Sequence, residues 1–281
     1  MLRIAVPNKG TLADPATTML REAGYRQRGG GRELVVADPD NDAEFFFLRP
    51  RDIATYVGSG TLDAGITGRD LLLDSPAGAE ETLALDFGGS TLRFAARPGE
   101  VATLADLAGL RVATSYAHVV GKYLAGHGVE VDLVSLDGAV ETAVRLGVAD
   151  VIADVVDTGL TIRQAGLEIV GEPVLESEAV LVRRCGAGPD PAVEQLVRRL
   201  QGVLVARRYV LMDYDVRVEH LAQASVLTPG YESPTVSPLA DTGWVAVRAM
   251  VERARAQRTM DDLWEVGARA ILVTDIHACR L

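Results

Sequence analysis

Short runs rich in valine, isoleucine and alanine alternate with stretches of helical spacing through most of the chain, and that alternation restricts it to an α/β class with largely parallel sheets. RIAVP near residue 3, LVVAD near 34, DAGIT near 63, RVATS near 111, VDLVS near 131 and DVIADVV near 150 are predicted strands. Between them DPATTMLREAG, RDIATYVGSG, VVGKYLAGHG and AVETAVRLG carry helical spacing and stop at or beside glycine. Residues 52–68 and 140–159 share an order of helix, strand and Thr-Gly pair, which suggests two similar lobes, each ending in a ligand loop, with a cleft between them. The connector ALDFGGSTLRFAAR (84–97) would cross to the second lobe. PVLESEAVLVRR (173–184) would cross back, ahead of a helix over about 192–207.

After Tyr209 the order becomes βαββαβ, the pattern of a small ferredoxin-like domain, with Met260, Leu263 and Trp264 on one helical face predicted to pack on its sheet. The expected division is therefore 1–90 with 184–210 as one catalytic lobe, 91–183 as the other, and 211–281 as a third domain. A chain of 281 residues at 48% apolar content is long and apolar enough for more than one core. Its 28 basic and 39 acidic side chains disfavour nucleic acid or an anionic membrane as a partner, so any anionic ligand must be held locally. The start MLRIAVPNKG does not read as a signal peptide and no apolar run is long enough to span a bilayer; the expected location is the cytoplasm. Cys185 and Cys279, with four histidines, reach no zinc-site spacing, and no protein-held metal site is predicted.

The segment DVIADVVDTGLTI carries the chemistry. A buried strand running into a turn and a helix from Leu160 would point free backbone N–H groups and a helix dipole at an anion, with Thr158 and Thr161 adding hydroxyl donors. Asp154 and Asp157 would repel a phosphate, so they suit sugar hydroxyls lying next to it, and phosphate plus diol describes ribose 5-phosphate. A bare DTG is equally a plain strand-to-helix turn with Asp or Thr at the cap.

The longer context ETAVRLGVADVIADVVDTGLT resembles the signature of the ATP phosphoribosyltransferase family, matched at Glu141, Gly147, Ala149, Ile152, Asp154, Val155, Thr158, Gly159 and Thr161. RIAVPNKGTL, RPRDIATYVGSGTLDAGITGRDLL, ESPTVSPL and ARAILVTDI extend that resemblance along the chain, toward the longer, self-regulated actinobacterial form. It implies a two-lobed, periplasmic-binding-protein-like catalytic region with a ferredoxin-like domain behind it. It also implies an enzyme of histidine biosynthesis joining ATP to phosphoribosyl pyrophosphate, inhibited by histidine, with Mg2+ carried on the pyrophosphate and assembly from dimer to hexamer. By the same resemblance Asp154, Asp157, Thr158, Gly159, Leu160, Thr161, Lys9 and Gly10 would hold phosphoribosyl pyrophosphate, with Asp154 and Lys9 nearest the chemistry. Arg49, Asp70, Leu71 and Tyr116 would hold ATP or AMP, and Asp215, Ser233, Thr235 and Ala270 would form the histidine pocket. Thr11 stands where many relatives carry arginine, which removes one expected cation.

Two other classes compete on fold alone. Two α/β lobes around a cleft also describe a solute-binding protein, although no export signal is read at the start. GSGTLD lacks the last glycine of a dinucleotide fingerprint and precedes its strand, and PNKGT is no P-loop.

Overall fold

The computed structural model describes residues 1–27 and 33–280. LRIAVP forms a strand whose Ile4, Ala5 and Val6 are fully buried, as a central parallel strand covered on both faces requires. In chain order the first part comprises β1 (Leu2–Pro7), α1 (Ala13–Glu22), β2 (Val35–Asp38), β3 (Ala43–Leu48), α2 (Pro50–Gly58), β4 (Ala64–Gly68), α3 (Arg69–Asp74) and β5 (Ala79–Ala84). It continues with β6 (Ser90–Ala96), β7 (Arg111–Thr114), α4 (Ala117–Gly126), β8 (Asp132–Ser135), β9 (Val151–Val156), α5 (Leu160–Gln164), β10 (Glu168–Ser177) and β11 (Ala179–Arg184).

These strands make two sheets, in the orders β2-β3-β1-β4-β11-β5 and β10-β6-β9-β7-β8. The two share a plan. In the first, β1 lies parallel between β3 and β4, and β11 closes antiparallel on β4. In the second, β7 lies parallel between β8 and β9, and β6 closes antiparallel on β9. The chain thus crosses to the second sheet after β5 and returns between β10 and β11, as the two connectors predict. The crossovers bond to each other through Ala179 N–H to Phe87 O and Leu85 N–H to Ala179 O, both 2.9 Å.

Strand β11 joins the first sheet from Ala179, ahead of the boundary at 184 drawn from the sequence, because Val180, Leu181 and Val182 are fully buried there. The two crossovers, expected only as connectors, themselves form strands β6, β10 and β11, and β3 and β5 also go unpredicted. AEFFFL, β3, is apolar throughout its last four residues and hides its alternating burial, and β5 is a half-exposed edge. One helix fails to form: AVETAVRLG has only a 3-10 turn over Val140–Thr142 followed by turns. Left-handed Gly138, Ala139 and Gly147 bracket residues 140–146, and Val140, Ala143 and Val144 bury themselves from the turns between them.

The chain folds as two compact units, Met1–Arg21 with Tyr25–Glu194, and Glu22–Gly24 with Gln195–Leu281. Helix α6 (Pro191–Arg208) carries the chain from one unit into the other. In the second unit β12 (Tyr209–Arg217), α7 (Leu221–Leu227), β13 (Thr235–Pro238), β14 (Trp244–Glu252), α8 (Ala256–Glu265) and β15 (Arg269–Asp275) build one antiparallel sheet of order β13-β14-β12-β15. That is the ferredoxin-like βαββαβ order. Val210, Met212, Tyr214 and Val216 alternate into its core with Leu263. Trp264, predicted to join them, does not: it is 55% exposed and stacks under the Arg269 guanidinium at 4.2 Å, because consecutive residues lie about 100° apart around a helix and Leu263 takes the sheet-facing position.

Candidate active site

Loops that leave the carboxyl ends of parallel strands gather ligand-binding groups, and both sheets of the first unit follow that rule. In the first sheet β1 ends at Pro7 beside Leu48 of β3, so Asn8–Gly10 and Arg49 emerge side by side, tied by Asn8 N–H to Leu48 O at 2.8 Å. Lys9 and Arg49 are exposed, and neither makes an ion pair among the described residues. Gly10 is left-handed, which lets the chain turn after Lys9. Strand β4 ends in Thr67-Gly68. Thr67 is fully buried and its hydroxyl donates to Pro50 O at 2.8 Å, fastening the start of α2 to the end of β4.

Helix α3 then opens with Arg69 and Asp70. Arg69 forks onto Glu81 at 2.8 Å through two nitrogens and reaches Glu178 at 3.2 Å; these bonds depress the Glu81 carboxyl below its ordinary range. Arg69 is therefore committed to structure. Asp70 is buried, and Ser177 donates its hydroxyl to Asp70 Oδ1 at 2.7 Å while accepting the Asp70 N–H at 3.0 Å. Gly68 leaves room for that carboxylate, since a Cβ there would collide with Asp70 Oδ1. Leu71, the next residue, is half-buried.

The second sheet supplies Tyr116 and the loop after β9. Tyr116 is half-buried at the head of α4; burial, and then the charge of Asp70 and a hydrogen bond to it, push its hydroxyl well above the ordinary tyrosine range. Its ring lies 5.2 Å from the Arg51 guanidinium. Asp154, on β9, is also half-buried, and burial is the chief reason its carboxyl is raised above the ordinary 3.8. The Val155 N–H, at 2.8 Å, opposes that rise, whereas the nearby charges of Glu141 and Asp70 add to it and Arg51 subtracts. The structure thus brings Asp70, Tyr116, Asp154, Glu141 and Arg51 into one electrostatic group.

Beyond Val156 the chain turns as predicted. Gly159 is left-handed, α5 starts at Leu160, and Arg163 caps the turn by donating to Thr158 O at 3.1 Å. Asp157, Thr158, Leu160 and Thr161 are exposed, and the N–H groups of Asp157, Thr158 and Gly159 meet no acceptor among the described residues. One exposed turn thus gathers these N–H groups and two hydroxyls. Asp157 opens instead onto a cleft of about 480 Å3 along the crossovers, with Arg69, Asp86, Ser177 and Glu178. Among the described residues no hydrogen bond or ion pair joins Lys9, Gly10, Arg49 or Thr161 to the Asp70 group.

Sequence reading gives no role to Ser177, Asp74 or Glu141, and sets Arg51, which flanks Pro50 with Arg49, only among charged groups where a nucleotide could enter the cleft. Glu141 is itself one of the matched signature residues and could have been found there; Ser177 lies in a connector, and nothing in ESEAV points to Asp70. In the second unit Asp215 and Thr235 lie on the face of the sheet opposite its core, on β12 and β13. Ala270 adopts a left-handed conformation where the β12–β15 register shifts, and Ser233 is exposed just before β13.

A family model described as ATP phosphoribosyltransferase matches residues 49–202, and one described as HisG, C-terminal domain, matches residues 206–278. An ATP phosphoribosyltransferase of Streptomyces avermitilis is 64% identical to this chain, and one of Salinispora tropica 63% identical, each over 100% of both chains. Among solved structures, the ATP phosphoribosyl transferase (HisG:HisZ) complex from Thermotoga maritima superposes with a TM-score of 0.62 at 25% identity, covering 73% of this chain and 98% of that one.

Proposed function

Because the chain belongs to the ATP phosphoribosyltransferase family, we propose that it joins N1 of ATP to C1 of phosphoribosyl pyrophosphate, releasing pyrophosphate in the first step of histidine biosynthesis. The observation that carries the site assignment is the pairing of two different loops at carboxyl ends of strands: an unpaired anion cradle after β9, and a buried acceptor group around Asp70 after β4. The cradle of Thr158, Gly159, Leu160 and Thr161 takes the 5-phosphate, and Asp154 and Asp157 accept from the ribose diol. Lys9 and Gly10 meet the pyrophosphate. Arg49, Asp70, Leu71 and Tyr116 hold the nucleotide, with Asp70 and Tyr116 as its buried polar end.

No protein nucleophile is needed. Positive charge gathers on the ribose as its bond to pyrophosphate breaks, and an ionised Asp154 beside it favours that charged ring over the uncharged ribose ring of the ground state. Lys9 neutralises the departing anion. Magnesium bound with the pyrophosphate would supply further charge neutralisation; Asp154 and Glu141 offer one or two carboxylates, the number it takes when phosphates and water complete its shell.

The division into two catalytic lobes and a control domain follows the same reading: histidine would bind the open sheet face through Asp215, Ser233, Thr235 and Ala270 and inhibit catalysis. The enzyme would work in the cytoplasm as an assembly of two to six copies. Among the described residues no helix is long and apolar enough to cross a membrane. Incubation with ATP, phosphoribosyl pyrophosphate and Mg2+ should yield phosphoribosyl-ATP, seen by mass spectrometry; no product across salt and pH conditions would overturn the assignment.

A further inference from the structure

Helix α4 begins without a cap of its own: Tyr116 occupies the cap position and makes no side-chain bond to the first turn. The missing acceptor comes from the other sheet's side of the unit. Asp74, the last residue of α3, places Oδ1 3.0 Å from the His118 N–H and 3.3 Å from the Val119 N–H. Its Oδ2 takes the Arg51 guanidinium at 3.1 Å, and that guanidinium stands 5.2 Å from the Tyr116 ring. The Asp74 side chain is only 11% exposed. A carboxylate at the end of its own helix opposes that helix dipole, whereas at the start of α4 it complements one and satisfies two N–H groups that have no acceptor within the helix. Asp74 is thus placed for α4 and not for α3.

We infer that Asp74 is a positioning residue that clasps α4 from the opposite lobe and so sets Tyr116 at the distance from Asp70 and Arg51 that nucleotide binding requires. The clasp joins three elements. Arg51 follows β3, Asp74 ends the helix after β4, and His118 begins the helix after β7, so one carboxylate ties the carboxyl ends of both sheets together. It acts through Tyr116 and needs no contact with substrate. The part concerning nucleotide rests on the proposed function; the clasp itself rests on geometry alone.

Amide hydrogen exchange separates the two. In the full-length protein, Asp74→Ala should lower protection of the His118 and Val119 amides about tenfold, the loss of a capping interaction, while amides in β1 and β9 keep theirs. Asp74→Asn, which keeps an acceptor oxygen, should restore most of that protection. In turnover assays Asp74→Ala should raise KM for ATP about tenfold, leave KM for phosphoribosyl pyrophosphate unchanged and alter kcat by less than about threefold. Unchanged protection of both amides in folded Asp74→Ala would overturn the clasp, and a lower kcat with no change in KM for ATP would overturn its part in nucleotide binding. If the wild-type protein made no phosphoribosyl-ATP, the function would fail while the exchange result still decided the clasp.

Discussion

Ser177 donates its hydroxyl to Asp70 Oδ1 across 2.7 Å and accepts the Asp70 N–H at 3.0 Å, so one buried serine on the return crossover fixes both the backbone and the carboxylate of the residue beginning its second position in α3. Removing that hydroxyl leaves a buried carboxylate with one donor fewer. Ser177→Ala should cost about 1–3 kcal/mol in thermal or denaturant unfolding and raise KM for ATP more than it lowers kcat. Wild-type KM in the variant would separate Asp70 from nucleotide binding.

Gly68 guards the same carboxylate by absence of a side chain. A Cβ there would collide with Asp70 Oδ1, so Gly68→Ala should destabilise by about 1–3 kcal/mol and weaken ATP binding with it. Gly126→Ala, at the end of α4 with nothing within 4 Å, is the control and should be neutral or stabilising by up to about 1 kcal/mol. Unfolding curves of the two variants test the contrast.

Asp154 exchanges stability for function. Its folded carboxyl is raised above 3.8, so the stability it contributes is present in full below 3.8 and is lost as pH rises through the folded value; at neutral pH the ionised group is a burden. Asp154→Asn should therefore melt higher than wild type at neutral pH. Its turnover should fall by about a hundredfold or more, because the charge that steadies the ribose is gone. The acid limb of the wild-type rate profile should lie above the ordinary aspartate range and disappear in the variant. Melting curves and rate profiles over pH check both signs.

Lys9 and Arg49 stand exposed without ion partners among the described residues, so their removal should shift stability by no more than about 0.5 kcal/mol. Lys9→Ala should lower kcat and weaken phosphoribosyl pyrophosphate binding, whereas Arg49→Ala should raise KM for ATP by about tenfold, each with a shallower salt dependence than wild type. The reverse pattern of KM values would exchange their assignments.

Asp215 tests the second unit. It lies on the sheet face opposite the core, paired with Ala246 and Arg269, so Asp215→Ala should fold normally. Histidine should then inhibit at least about tenfold less well with the uninhibited rate retained. Undiminished inhibition, measured by titrating histidine into the assay, would place the effector elsewhere.

Much of this protein is legible along the chain because its strands and loops are contiguous. DVIADVVDTGLT contains both the buried run of β9 and the left-handed Gly159 that turns it, and βαββαβ is readable after Tyr209 since each element keeps one period. AVETAVRLG misleads because its helical spacing describes which residues are buried, while the left-handed Gly138, Ala139 and Gly147 decide that turns bury them. Trp264 misleads because periodicity assigns a face of a helix but not its edge.

The sequence by itself determined the alternation of strands and helices, the two crossovers, the turn that presents Thr158 to Thr161, and the family. Only the tertiary structure decided that Asp70 meets Ser177, 107 positions away, and that Asp74 meets His118, 44 positions away. The reason is physical. Spacing along a chain fixes what local hydrogen bonds and burial require, whereas a buried carboxylate takes whichever donors the crossing of two sheets brings within reach, and that crossing is set by β6 and β11 each pairing into its sheet at the end of a crossover.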